Sequence, residues 1–326
     1  MTNKNAARGV VLVATLVVAM LAVTSVAGAT GSGAWGSPVN IESIPGTSTE
    51  LNTPWTDGCP IQSPDGLSLY MASNRDGYQG TTRNLDIWVA HRPDRHAPWG
   101  APENLGPTVN GPGNDFCPSP TLGGVLFFVS DRVVPGACGG ADIYVTRSRG
   151  GGWAEPTNLG CSVNSAGGEA SPSFVLAGFR PVLYFSSARP GGFSSEAPDI
   201  DSDIYLSRLS IHGFGPAELV PGVNTSAEDS RPNVRSDGRE MVFDSTRPGT
   251  LGGPDLYATT RTSPFGTWGE PVNLGPTINT PSSESRASLS WDGRVLVFGS
   301  NRPGSELATD GITVSNDLYV AVRYRG

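Results

Sequence analysis

The amino-acid sequence predicts an all-β chain: a five-bladed β-propeller of four-stranded antiparallel blades, closed by an N-terminal strand that completes the last blade. Three observations carry this expectation. The passages "WGAPENLGPTVNGPGND", "WAEPTNLGCSVNSAGGE" and "WGEPVNLGPTINTPSSE", which begin at Trp99, Trp153 and Trp268, repeat one register. The chain has 43 Gly and 28 Pro among its 326 residues, and they punctuate short runs rich in Val, Ile, Tyr and Phe, as expected of many strands joined by tight turns. Finally, the first and last copies each lack what the other supplies.

The repeat is indexed by Asn52, Asn110, Asn164, Asn224 and Asn279. An acid follows each Asn at the fifth place: Asp57, Asp115, Glu169, Asp229 and Glu284. A Pro stands three residues after the acid in four copies, and Ala287 takes its place in the fifth. The first strand of a unit ends in turns such as "SPDG", "RSDG" or "SWDG", where Asp-Gly supplies the positive φ of a tight hairpin. The second strand reads "LYMASNR", "LFFVSDR", "LYFSSAR", "MVFDSTR" and "LVFGSNR", and the third "LDIWVA", "ADIYVT", "SDIYLS", "PDLYAT" and "NDLYVA". The fourth carries the aromatic at Trp99, Trp153, Phe214 and Trp268. Copy five stops after "NDLYVAVRYRG", while "AWGSPVNIE" near Trp35 is a fourth strand with no preceding three. A ring satisfies both ends at once and leaves no open sheet edge. The expected domain is therefore single and spans residues 34–326.

With the "SPDG" turn, the S-x-R end of strand two, D-I-Y or D-L-Y, and W-G-x-P-x-N-L, the units resemble the TolB-like, WD-repeat-like propeller family of exported bacterial proteins. The resemblance covers essentially all of the chain after its leader. It implies a propeller and leaves the function open, since propellers host binding, scaffolding and catalysis. The chain has five units rather than the six that TolB resembles, and no separate N-terminal domain, so TolB's role in an envelope-spanning complex is not implied.

Residues 1–29 read as a signal peptide. Lys4 and Arg8 precede the apolar run "GVVLVATLVVAMLAV", and Ala27 and Ala29 stand at cleavage-site spacing. An uncleaved anchor is the alternative. After cleavage no membrane span is expected, and the protein should be exported, to the periplasm, the cell surface or the medium. The net charge is −8, and loss of the leader makes it more acidic. No basic run remains, which excludes nucleic-acid binding through the phosphate backbone. The expected partner is a protein, peptide or glycan met by a monomer, with no cofactor beyond a loose calcium site at Asp199 and Asp201.

Loops after strands two and four share one face. There the five acids are expected to ring the channel mouth as a ligand-binding set, with Arg231 and Arg286 tuning the field. The bland alternative has each acid capping its own loop through backbone N–H groups. The S-x-R arginines Arg75, Arg132, Arg189, Arg247 and Arg302 are expected to clamp the third-strand Asp86, Asp142, Asp203, Asp255 and Asp317. The aromatics at the fourth strand should pack between blades, and Tyr78 and Phe193 should offer apolar contact. The even Cys count of an exported chain argues for disulfides, with 138–161 and 59–117 favoured. No His stands near a Cys or Ser in a way that suggests a nucleophile, and His91, His96 and His212 belong to the opposite face.

Near-equivalent acids are poorly suited to the two distinct carboxyl roles of glycosidic cleavage. The expected function is therefore a non-catalytic binding or scaffold propeller, with no catalytic residue assigned. The alternative is a glycan-active enzyme using carboxylates in the central funnel, with Glu196, Asp199 and Glu228 beside Asp229 as its best candidates.

Overall fold

In the computed structural model the described residues are 33–75, 84–177, 180–193 and 201–323; the expected signal peptide lies outside them. Every blade opens on its repeat acid. Blade one is built from Asp57–Gln62, Ser68–Ser73, Asp86–His91 and Glu103–Asn104, hydrogen-bonded in that order. Blade two uses Asp115–Pro120, Val125–Ser130, Asp142–Arg149 and Thr157–Asn158. Blade three uses Glu169–Ala177, Arg180–Ser187, Asp203–Ser210 and Glu218–Leu219. In blades two and three the third strand also pairs with the short strand Gly152–Trp153 or Gly213–Phe214. Blade four uses Asp229–Val234, Glu240–Ser245, Asp255–Thr260 and Val272–Asn273. All pairings within a blade are antiparallel. The five-bladed, all-β architecture is the one expected.

Blade five shows why the ends of the sequence looked incomplete. Its first three strands are Glu284–Leu289, Val295–Ser300 and Asp317–Val322, and its fourth is Val39–Asn40. Asn40 also caps the one-turn 3₁₀ helix Ile41–Ser43. From Asn40 the side-chain amide donates to Asp317 across the whole length of the chain, at 3.0 Å. Leu318 N–H donates to Asn52 Oδ1 at 2.8 Å. Arg323 then reaches sideways into blade four, where both Nη atoms bond the two oxygens of Glu240, and its guanidinium stands 4.6 Å over the Trp35 ring.

The Asn that indexes the repeat has a defined task. Asn110 accepts from Ile87 N–H and donates back to Ile87 C=O. Asn164, Asn224 and Asn279 do the same at Ile143, Ile204 and Leu256. Each Asn thus staples the loop entering one blade to the third strand of the blade before. The apolar core lies in wedges between blades: Leu126, Phe128 and Tyr144 with Ile87, for example, and Leu51, Met71 and Trp99 with Leu318. Trp99 and Trp268 are buried there, as the packing reading expects, and Trp153 and Phe214 pack against the same wedges.

Asp317 allows a test of the closure. Its side chain is fully buried beside Glu306, with Asn40, Glu306 N–H and Ser315 as donors. Burial pushes its carboxyl up to about 6. A folded-state value above the unfolded one means that the native state holds the extra proton. Stability from this group is therefore full below about pH 4 and falls as pH rises to about 6, by about 2 kcal/mol once solvent screening is allowed for. In urea unfolding from pH 4 to 7, the parent should lose stability relative to Asp317→Asn over that window. Parallel curves for the two proteins would refute this assignment.

Candidate functional site

The repeat acids do not stand around an open mouth. Asp57, Asp115, Asp229 and Glu284 have no exposed surface and Glu169 is 3% exposed. Each accepts the backbone N–H of the residue after its Asn: Thr53, Gly111, Ser165, Thr225 and Thr280. Each is also paired with the S-x-R arginine of its own blade: Arg75–Asp57 at 2.7 Å, Arg132–Asp115 at 2.5 Å, Arg189–Glu169 at 2.9 Å, Arg302–Glu284 at 3.1 Å, and Arg247–Asp229. The geometry is that of the loop-capping alternative, with an ion pair added.

The clamp therefore exists, but its acid is not the third-strand Asp. Asp86, Asp142 and Asp255 instead accept the side-chain amide of the fourth-strand Asn104, Asn158 and Asn273, at 2.7–2.8 Å. Asp317 takes Asn40, while Asp203 has Leu219 at the Asn position and keeps only the loop N–H, from Phe193 at 2.5 Å, a contact that Asp142, Asp255 and Asp317 also make. The arginine is held on every side. Arg132 Nε bonds Ser130, its Nη2 bonds Val109 C=O, and its guanidinium lies 5.4 and 5.1 Å from the Phe128 and Tyr144 ring centres. Arg189, Arg247 and Arg302 repeat this stack on Phe185 and Tyr205, Phe243 and Tyr257, and Phe298 and Tyr319. Burial pushes the Asp57 and Asp115 carboxyls up, against the opposing pull of Arg75 and Arg132.

What faces the axis is the second residue after each acid. Cys59, Cys117, Ser171, Arg231 and Arg286 all have positive φ, between 46° and 56°. Each sits in a β-bulge, where the first strand slips register against the second. A bulge re-aims a side chain, and here it turns one residue per blade into the channel. A collar of Pro60, Pro118, Pro172, Pro232 and Ala287 follows, and residues from all five blades close on one cavity of about 30 Å³. Cys59 and Cys117, from adjacent blades, form a disulfide across this waist, and Cys138–Cys161 forms the second. Both pairings are those favoured from sequence.

Fivefold symmetry fails in blade four. Asp244, two places before Thr246 on the second strand, is fully buried and accepts Arg231 Nη1 at 2.5 Å and Arg286 N–H at 3.0 Å. The same place holds Ala72, Val129, Ser186 and Gly299 in the other blades. Glu228, which precedes the repeat acid, is partly exposed, accepts Ser230 Oγ at 3.2 Å and lies 3.7 Å from Arg231 Nη1. Sequence reasoning singled out Glu228, Arg231 and Arg286 but missed Asp244. Its signal was present as the lone charged residue at that position of the repeat.

Other expected residues stand apart from this cluster. Phe193 and Asp201 are exposed, and Tyr78, Glu196 and Asp199 lie outside the described residues. Among the described residues there is no group of three or more His, Cys, Asp or Glu that could hold a metal. His91 bonds Ser68 on the opposite face, at 3.0 Å. Among the described residues no helix is long and apolar enough to cross a membrane.

The clamp carries its own test. Asp115→Asn leaves the Arg132 guanidinium buried without its anion and should cost about 3–5 kcal/mol in urea unfolding. Asp142→Asn, which disturbs an amide hydrogen bond, should cost about 1 kcal/mol. The reverse order would restore the third-strand Asp as the arginine's partner.

No family model matches the chain, and no curated protein matches it. Solved structures do. The catalytic domain of a GH62 α-L-arabinofuranosidase from Coprinopsis cinerea is similar at 12% identity and TM-score 0.55, over 90% of this chain and 97% of that one. A GH43_12 protein retrieved from capybara gut metagenome is similar at 13% identity and TM-score 0.55, over 90% of this chain and 57% of that one, so this chain spans little more than half its length. TolB from Acinetobacter baumannii is similar at 14% identity and TM-score 0.49, over 91% of this chain and 65% of that one. Membership of the TolB-like family is not shown. Arabinofuranosidases and an endo-arabinanase stand among the similar structures. That finding overturns the expected non-catalytic scaffold.

Proposed function

We propose that this chain is an exported carbohydrate-active propeller that cleaves glycosidic linkages at the channel mouth of blade four. The observation that carries the reading is the break in repeat symmetry at Asp244 and Glu228. A buried charge is costly, and four blades close well with Ala72, Val129, Ser186 or Gly299 at the same place. The fold itself therefore does not call for Asp244. A carboxyl that moves protons has its acidity set by its neighbours, and blade four gives Glu228 unusual ones: it is open to solvent and stands 3.7 Å from Arg231 Nη1, which Asp244 holds from behind.

In this reading Glu228 is the catalytic residue: it gives its proton to the leaving glycosidic oxygen as the anomeric C–O bond breaks, a solvent water adds to the anomeric carbon, and the proton that water sheds returns to the Glu228 carboxylate. Asp244 has no exposed side-chain surface and does not meet the sugar. It is a positioning residue that holds Arg231 at the mouth, where the cation opposes charge building on Glu228. Two disulfides suit an oxidising compartment, which supports export. The arabinose-releasing activities in the names of the similar structures supply the first substrates to try.

Release of nitrophenol from an aryl α-L-arabinofuranoside, and of reducing ends from arabinan, would be followed with parent, Glu228→Gln and Asp244→Asn. The expected result is turnover by the parent and a fall of about 10²–10⁴ in kcat for Glu228→Gln. Asp244→Asn should keep KM and shift the pH profile. Equal turnover by parent and Glu228→Gln, or none by the parent on any glycan tried, would sink the proposal.

A further inference from the structure

The waist of the channel holds two guanidinium groups and one buried carboxylate. Asp244 is committed to Arg231 Nη1 and to the backbone N–H of Arg286. The Arg286 guanidinium makes no ion pair: among the described residues no carboxylate oxygen lies within 4.0 Å of it, and Asp244 and Glu228 act on it only from further off. Burial and the like charge of Arg231 push it down to about 10, so it remains a cation at neutral pH. A cation in such a place calls for a counter-charge.

We propose that Arg286 holds a small inorganic anion, of halide size, in the cavity at the channel waist. The cavity, about 30 Å³, has room for one or two water-sized species and no sugar. Arg231 flanks it with a second positive charge. Ser171 also lines it, and its hydroxyl donates to the weak acceptor Cys117 Sγ at 3.3 Å, a bond it can exchange for one to an anion. The disulfide and the proline collar supply walls without carboxylates, and a low dielectric strengthens the attraction to the guanidinium. A metal cation is disfavoured by the same two arginines. The site is independent of the glycosidase reading and stands or falls separately.

The test uses the full chain, with thermal unfolding in sodium chloride or bromide against sodium gluconate at equal ionic strength. The parent should gain about 2 °C or more at high halide, and Arg286→Gln should gain nothing. Crystals soaked in bromide should show an anomalous peak beside the Arg286 guanidinium in the parent alone. Circular dichroism would establish that the variant is folded, and Ser171→Ala gives a second, milder variant with a weakened halide response. An equal halide response in parent and Arg286→Gln would overturn the site, as would a bromide peak located elsewhere. So would a response to acetate without one to halide.

Discussion

One buried ion pair, made five times, organises this molecule. The S-x-R arginine lies on the aromatic rings of strands two and three, bonds the carbonyl before the repeat Asn, and closes on the acid five residues after that Asn. Three segments that are far apart in sequence meet at that guanidinium, whose rigid fork can satisfy several acceptors at once. An apolar residue there could fill the space but could not hold the loop carbonyl. The Asn staple acts from the other side, tying the same loop to the preceding blade. Together they set where each innermost strand begins, and so which residue the bulge turns towards the axis.

Much of this was legible in the sequence. The period and the displaced first strand follow from the spacing of Asn and Trp, because a closed ring admits few arrangements, and the disulfide pairs favoured among three connectivities are the ones formed. The partner of the arginine did not follow. The third-strand Asp and the post-Asn acid are both near the S-x-R residue in a blade, and alternation cannot tell which one its guanidinium reaches. The fourth-strand Asn decided it by occupying Asp86, Asp142 and Asp255 first. The acidic mouth failed for the same reason: a carboxylate already capped and paired has no charge to offer. The residue that does reach the channel lies two places further on, in a left-handed conformation that the repeat pattern alone does not announce.

Departures from the repeat carry more information about function than the repeat itself. Positions filled alike in five blades answer to the fold. Asp244, Glu228, Arg231 and Arg286 break the repeat, and they lie together at one sector of the axis. The Cys59–Cys117 bridge occupies blades one and two of the same ring of bulges, with Arg286 of blade five packed beside Gly58. Covalent bracing in blades one and two and a charged cluster in blades four and five make the waist polar in direction as well as in composition, although the backbone around it is nearly fivefold.

The closure of blade five sets the order of events during synthesis. Val39 and Asn40 leave the ribosome among the earliest residues of the ring, yet their partners Tyr319 and Val320 are among the last. The bond from Asn40 to Asp317 spans 277 residues. Until blade five is made, that early strand must wait unpaired, with the edge of a sheet as its only proper destination. Contacts this distant are slow to form, and a waiting strand is a natural target for chaperones or for the wrong neighbour. The ring is thus sealed by its oldest residues and its newest ones together, in a single late step.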